Sequence, residues 1–180
     1  MLNQVLEQFK KPKAVIFDLD GVIVDSSERF KRLNMDAFEK RNKKEFVKSV
    51  RDYNSDCFGD TVIDTGMNLL KFYSKDHKVF FITARGSEGH APTLNWIRTY
   101  FEHFDNCEAE LIMNPEDTNA FEFTTQFDHA EFKKKEAEKI LKSYEVILAV
   151  DDSDLNCRAY ISLGIPTIQL TIPYLGRVLV

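Results

Sequence analysis

Glycine and proline are scarce, at 7 and 5 of 180 residues. That excludes a collagen-like, low-complexity or largely disordered chain. Long hydrophobic runs are missing as well. No apolar stretch approaches the roughly 18 residues of a membrane span, so no membrane partner is expected. The opening MLNQVLEQFKKPK has no apolar core followed by a small-residue cleavage site, so no secretory signal is expected either. The three cysteines, Cys57, Cys107 and Cys157, lie far apart. No two have zinc-ligand spacing, and so sparse and odd a set suggests reduced thiols and a cytoplasmic setting. The four histidines, His77, His90, His103 and His129, form no H-E-x-x-H pair and read as surface or core residues. Neither a G-x-x-x-x-G-K-[ST] loop nor a G-x-S-x-G elbow is present, which argues against a P-loop kinase and a serine hydrolase.

What is present is an ordinary globular composition, 43% hydrophobic and 29% charged. A chain of this length holds one domain with a proper core. With no repeat and no linker, residues 1–180 read as a single domain. The net charge of -5 is unevenly spread. Glu28 to Arg51 contains nine Lys/Arg and four Asp/Glu, whereas Thr99 to Phe132 contains nine acids and no Lys or Arg. The first segment suits an anionic partner or a solvated helix face; the second repels such a partner.

Short apolar runs closed by a polar residue predict buried strands at Lys13–Asp18, Lys78–Thr83 and Glu145–Asp151. Weaker strands are expected at Ala109–Met113 and Pro166–Leu170. Helical spacing predicts helices over Val62–Phe72, Ala91–Phe104, Phe132–Tyr144 and Asp154–Leu163. The alternation implies a Rossmann-like α/β fold, a parallel sheet sandwiched by helices. The polar stretch within residues 28–60 reads as a small helical cap inserted after the first strand.

In a parallel α/β sheet, ligands bind beyond the carboxyl ends of the strands. Three expected strands end there in polar groups: Asp18 with Asp20, Thr83 with Arg85, and Asp151 with Asp152. Carboxylates gathered at one edge repel unless a cation neutralises them, and hard oxygen donors select Mg²⁺. A lysine among Lys133, Lys134 and Lys135 would complete the balance. Alternatives exist for each piece. A calcium loop starting at Asp18 would need Glu at its twelfth position, where Arg29 stands, and a helix before it. The run Asp151-Asp152-Ser153-Asp154 taken alone is a helix-capping turn.

In combination and in this order, Asp18-x-Asp20-Gly21, Thr83, a helical lysine and Asp151-Asp152 resemble the haloacid dehalogenase (HAD) phosphatase superfamily. The likeness runs from about Lys13 to Leu170. It implies that Asp18 is the nucleophile, Asp20 the general acid and base, and Thr83 a binder of the transferring phosphoryl group. A lysine, best placed at Lys133, steadies the intermediate, and Mg²⁺ is held by Asp18, the Asp20 carbonyl and Asp152, with Asp151 beside it. Thr83 follows Asp20 by 63 positions, too few for the four-helix cap of the sugar-phosphate mutases.

KPKAVIFDLDG, DTVIDTGMNLLKFY, KVFFITAR and EVILAVDDSDLNCRAYISLGIP are similar to the 3′-phosphatase domain of bacteriophage-type polynucleotide kinases. That likeness implies that Thr83, Ala84 and Arg85 contact the substrate phosphate. Val22 in place of Thr, a longer insertion and the Asn156–Arg158 tail depart from it. The expected substrate is therefore a 3′-phosphate end of nucleic acid, with a 5′(3′)-nucleotidase as the second reading and a non-catalytic binding module as the third. Asn119, Phe121 and Phe123, in the loop Asn114–Phe127, are candidates to stack a base or to anchor the loop.

Overall fold

The computed structural model describes residues 11–54, 56–115 and 126–171. Five parallel strands form the main sheet in the order β5-β4-β1-β6-β7. They are β1 (Lys13–Phe17), β4 (Lys78–Gly86), β5 (Glu110–Asn114), β6 (Glu145–Asp151) and β7 (Thr167–Gln169). β1 is central, with Phe17 opposite Phe81 of β4 on one side and Val150 of β6 on the other. The run Ala14–Phe17 is fully buried, as a strand covered on both faces must be.

Alternation along each strand divides this apolar content between two cores. Val15, Phe17, Val79, Phe81, Leu148 and Val150 face one layer of helices. That layer is α4 (Asp64–Tyr73), through Met67 and Leu70, and α5 (His90–Tyr100), through Trp96 and Ile97. Ala14, Ile16, Phe80, Ile82 and Ala149 face the other. There α6 (Gln126–Ser143) contributes Ala137 and Ile140, and α7 (Asp154–Ser162) contributes Tyr160.

Beyond β1 the chain folds into a tight turn in which the amides of Val22, Ile23 and Val24 all donate to the Leu19 carbonyl. Gly21 has a φ of +82°, a conformation that side chains resist. The turn leads into β2 (Val24–Asp25), which pairs antiparallel with β3 (Thr61–Val62). Between these two strands lie the short helices α1 (Ser27–Phe30), α2 (Met35–Glu39) and α3 (Lys43–Asn54). α4 packs so closely on the turn that a Cβ at Gly66 would lie 1.8 Å from the Val22 carbonyl oxygen.

Several boundaries differ from those expected. Val62 belongs to β3, not to a helix: its β-branched side chain suits the pairing with Val24, and α4 starts two residues later. α5 stops at Tyr100, because Phe101 leaves helical geometry. Phe101 and Phe104 nevertheless stay buried, each with its ring about 6 Å from that of Phe81. β4 runs three residues past Thr83, and α6 starts six residues before Phe132. Asn119, Phe121 and Phe123 lie outside the described residues. Among the described residues, no helix is long and apolar enough to cross a membrane.

Candidate active site

The carboxyl ends of β1, β4 and β6 converge on a pocket of about 210 Å³. Asp18 follows the last residue of β1 and donates its amide to the Val150 carbonyl, 2.9 Å away, so the ladder to β6 fixes its backbone. Thr83, on β4, is 1% exposed and opens onto the same pocket. Lys133, on α6, crosses beneath them. Its Nζ lies 2.9 Å from Asp18 Oδ2 and 2.7 Å from Asp151 Oδ2. Of the three adjacent lysines, Lys133 is the buried one; the Lys135 ammonium pairs with Glu131 on the surface.

Asp151 is wholly buried and richly bonded. Besides Lys133, it accepts from the Ser153 amide at 3.0 Å and from Asn156 Nδ2 at 2.9 Å. It does not line the pocket, whereas Asp18 and Asp152 do. One oxygen from each of Asp18, Asp151 and Asp152 lies within 4.8 Å of the others. Three carboxylates facing one ammonium leave an excess of negative charge, and the donor set is all oxygen. Both features fit a hard divalent cation.

Asp20 also lines the pocket, but its carboxylate is held by guanidiniums and is not part of that three-acid cluster. Arg85 donates to it through Nε (2.7 Å to Oδ2) and Nη2 (2.8 Å to Oδ1), and Arg29 through Nη2 (3.0 Å to Oδ1). Arg29 also holds Asp60 through Nε at 2.9 and 3.1 Å, donates to the Tyr53 carbonyl, and stacks on the Tyr53 ring at 4.1 Å. The remaining Arg85 protons go to Thr93 Oγ1 (3.0 Å), Cys57 Sγ (3.2 Å) and Asp60 Oδ2 (3.4 Å). Although Arg85 borders the pocket, all five of its N–H groups are committed. The expected contact to substrate phosphate is therefore not poised in this arrangement, and Arg85 is the holder of Asp20.

Proton affinities separate accordingly. Burial pushes Asp18 up to about 7; Lys133 opposes this, and Asp151 and Asp152 add to it. Burial also works to raise Asp20, but Arg85 and then Arg29 outweigh it and hold the carboxyl well below the usual range. Burial disfavours charge on Lys133, yet Asp151 and Asp18 keep it protonated above the ordinary lysine range. The Cys157 thiol, against the Asp151 carbonyl, is pushed up to about 12 by burial and the nearby acids. Both effects disfavour the thiolate, the reactive form of cysteine.

Two features of the sequence reading need revision. Arg29 belongs to the basic segment but is 1% exposed and sits inside the site, because Asp20 and Asp60 neutralise it. His129, read as a bland residue, lies on the pocket wall. Arg29, Asp60, Asn156 and His129 all escaped the sequence analysis. Only Asn156, five residues after Asp151 at the start of a helix, carried a local signal.

The sequence model of the HAD superfamily, subfamily IIIB (acid phosphatase), matches residues 1–163. No curated protein matches the sequence. Among solved structures, the chain is similar to one in the Pnkp1/Rnl/Hen1 complex, with 21% identity and a TM-score of 0.58 over 89% of this chain and 46% of that one. It thus spans less than half the length of that relative. It is also similar to the class C acid phosphatase from Bacillus anthracis (16% identity, TM-score 0.54, covering 96% and 72%). A third likeness is to protein tyrosine kinase A of Mycobacterium tuberculosis (16%, 0.58, covering 89% and 84%). At such identities these three establish the fold and nothing finer.

Proposed function

The chain belongs to the HAD superfamily, in its subfamily IIIB of acid phosphatases; we infer a Mg²⁺-dependent phosphomonoesterase that works through a phosphorylated Asp18, and, from the likeness of its motifs to polynucleotide-kinase 3′-phosphatase domains, one that acts on 3′-phosphate ends of nucleic acid. The observation that carries the chemistry is the meeting of Asp18, Lys133, Thr83 and Asp152 in one pocket. We read the chain as one phosphatase domain with residues 28–60 as its small cap.

In this scheme the Asp18 carboxylate attacks phosphorus in line and the bond to the ester oxygen breaks. Asp20 gives that oxygen a proton, then draws one from the water that hydrolyses the acyl phosphate. Thr83 and the backbone at Ala84 hold the phosphoryl oxygens, and Lys133 offsets their charge. Asp18, Asp152 and the Asp20 carbonyl would hold Mg²⁺, with Asp151 beside them; when bound, the ion screens the repulsion between the carboxylate and the phosphate dianion. The ionised Asp20 of the resting site suits the second step. Protonating it for the first requires Arg85 to leave it for the incoming dianion, which restores the phosphate contact expected of Arg85.

The pocket volume bears on the substrate. About 210 Å³ is below the roughly 300–1,000 Å³ of typical small-molecule sites. A volume of that size suits a phosphoryl group with the remainder of the substrate outside, which supports a chain end as substrate. On α3, Lys44, Lys48 and Arg51 are exposed on one side of the helix and available to a polyanion. One observation favours the nucleotidase reading instead. Arg29, Lys31, Arg32 and Lys40 are all paired with acids within the insertion or the site, which weakens its field.

The test is Mg²⁺-dependent phosphate release from a 3′-phosphorylated oligonucleotide and from the matching 3′- and 5′-mononucleotides, with D18N as blank. Preference for the oligonucleotide, lost steeply with salt, is the expected result. Preference for a mononucleotide makes the protein a nucleotidase.

A further inference from the structure

Three of the described pocket-lining residues have no task in the scheme above; Ser153 and Asn156 bond to Asp151, and His129 is the third. It lies on α6 four residues ahead of Lys133, so the two side chains leave the same face of the helix, about 6 Å apart along its axis. Lys133 is buried at the floor against Asp18, while His129 is half-buried, nearer the mouth. The acids of this helix take another direction. Asp128 and Glu131 line a separate depression of about 520 Å³ beside Lys135 and Phe132. Among the described residues of α6, the pocket wall therefore receives only His129 and Lys133. Both carry N–H donors, although the segment Thr99–Phe132 contains no Lys or Arg.

We propose that His129 is a substrate-contacting residue that donates to the phosphodiester next to the terminal phosphate. This rests on the nucleic-acid-end reading above. With the terminal phosphoryl group between Asp18 and Lys133, the following phosphate of an extended strand lies one nucleotide further out. Four residues of helix, about 6 Å, separate His129 from Lys133 along the axis, a step of the order of one nucleotide of extended strand. An imidazole N–H reaches a non-bridging oxygen at the pocket mouth, where the floor residues have no access. A mononucleotide has no group there, so this contact makes the open pocket selective for strands.

The experiment uses the full chain with Mg²⁺ and three substrates: a dinucleotide 3′-phosphate, the same compound with an uncharged methylphosphonate linkage, and a nucleoside 3′-phosphate. The expected wild-type result is about a ten-fold preference in kcat/KM for the charged over the uncharged dinucleotide, carried by KM, the size of one exposed charge-assisted contact. H129A should erase that preference, and H129K should keep it. A preference that survives in H129A, that is missing in the wild type although both dinucleotides are hydrolysed, or that gives way to an equal loss on all three substrates overturns the proposal. If the nucleoside phosphate is hydrolysed and neither dinucleotide is, the nucleic-acid reading itself falls and takes this one with it.

Discussion

Asp18 and Asp20 are separated by a single leucine, yet they meet opposite surroundings. Asp18 shares its neighbourhood with Asp151, Asp152 and one ammonium, so acids outnumber cations. Asp20 shares its own with Asp60 and two guanidiniums, so charges balance. Burial is common to both. What differs is the supply of positive charge: the first carboxyl is left at about 7, and the second is held far below its usual value. The side short of a cation is the side a divalent ion would complete. The other side needs nothing bound in order to stay ionised. The order of the residues in a motif does not assign their protonation; their neighbours do.

The largest expected effect removes the short side's nucleophile. D18N should lower turnover by about 10⁴-fold or more while the unfolding transition remains cooperative; phosphate release beside a melting curve checks both. Next comes the balanced side. R29A leaves Asp60 and Asp20 with one guanidinium between them and should destabilise the protein by about 3–5 kcal/mol, read by urea unfolding. A loss below 1 kcal/mol would show that the network is not the anchor described.

Metal should act on the two sides differently. The folded pKa of Asp18 lies above its unfolded value, so without metal this group's contribution to stability is complete below about pH 4 and fades as pH rises through about 7. Mg²⁺ binds the ionised form, so the rise in Tm on adding Mg²⁺ should be larger at pH 8 than at pH 5. A pH-independent rise would place the ion elsewhere. G21A should have a smaller effect, about 1–3 kcal/mol from its positive φ. A Cβ there would lie 2.3 Å from Asp152 Oδ2, so the Mg²⁺-induced rise should also shrink. Smallest of all is K135A. Its ammonium is exposed and 3.6 Å from Glu131, and the substitution should change stability by under about 0.5 kcal/mol with turnover unchanged, in contrast to the buried Lys133.

Much of the unbalanced side was readable in the sequence. Asp18, Thr83 and Asp151 each close an apolar run, and parallel packing sends such ends to one edge. Lys133 could be ranked above Lys134 and Lys135 because Ala137 follows it at helical spacing, and Ala137 is in the core. The balanced side was hidden. Arg29 and Asp60 are 31 residues apart across a polar insertion. In a linear reading each is one more charge in a charged stretch, and only the return of the chain through β3 brings them together. His129 was obscured in the same way, because the acids beside it in sequence turn to another side of α6. The misplaced helix start at Val62 has a local cause: a two-residue strand is too short for its period to register.

The place of β1 in the sheet also bears on how the protein is made. Its two neighbours, β4 and β6, begin at Lys78 and Glu145. As the chain emerges from a ribosome, Ala14–Phe17 must wait for both, and each wait closes a long loop before any pairing rewards it. A stalled product ending before Lys133 carries Asp18 without its ammonium and without Asp151. Such a fragment is catalytically inert, and its central strand presents an open, apolar edge of the kind that chaperones shield.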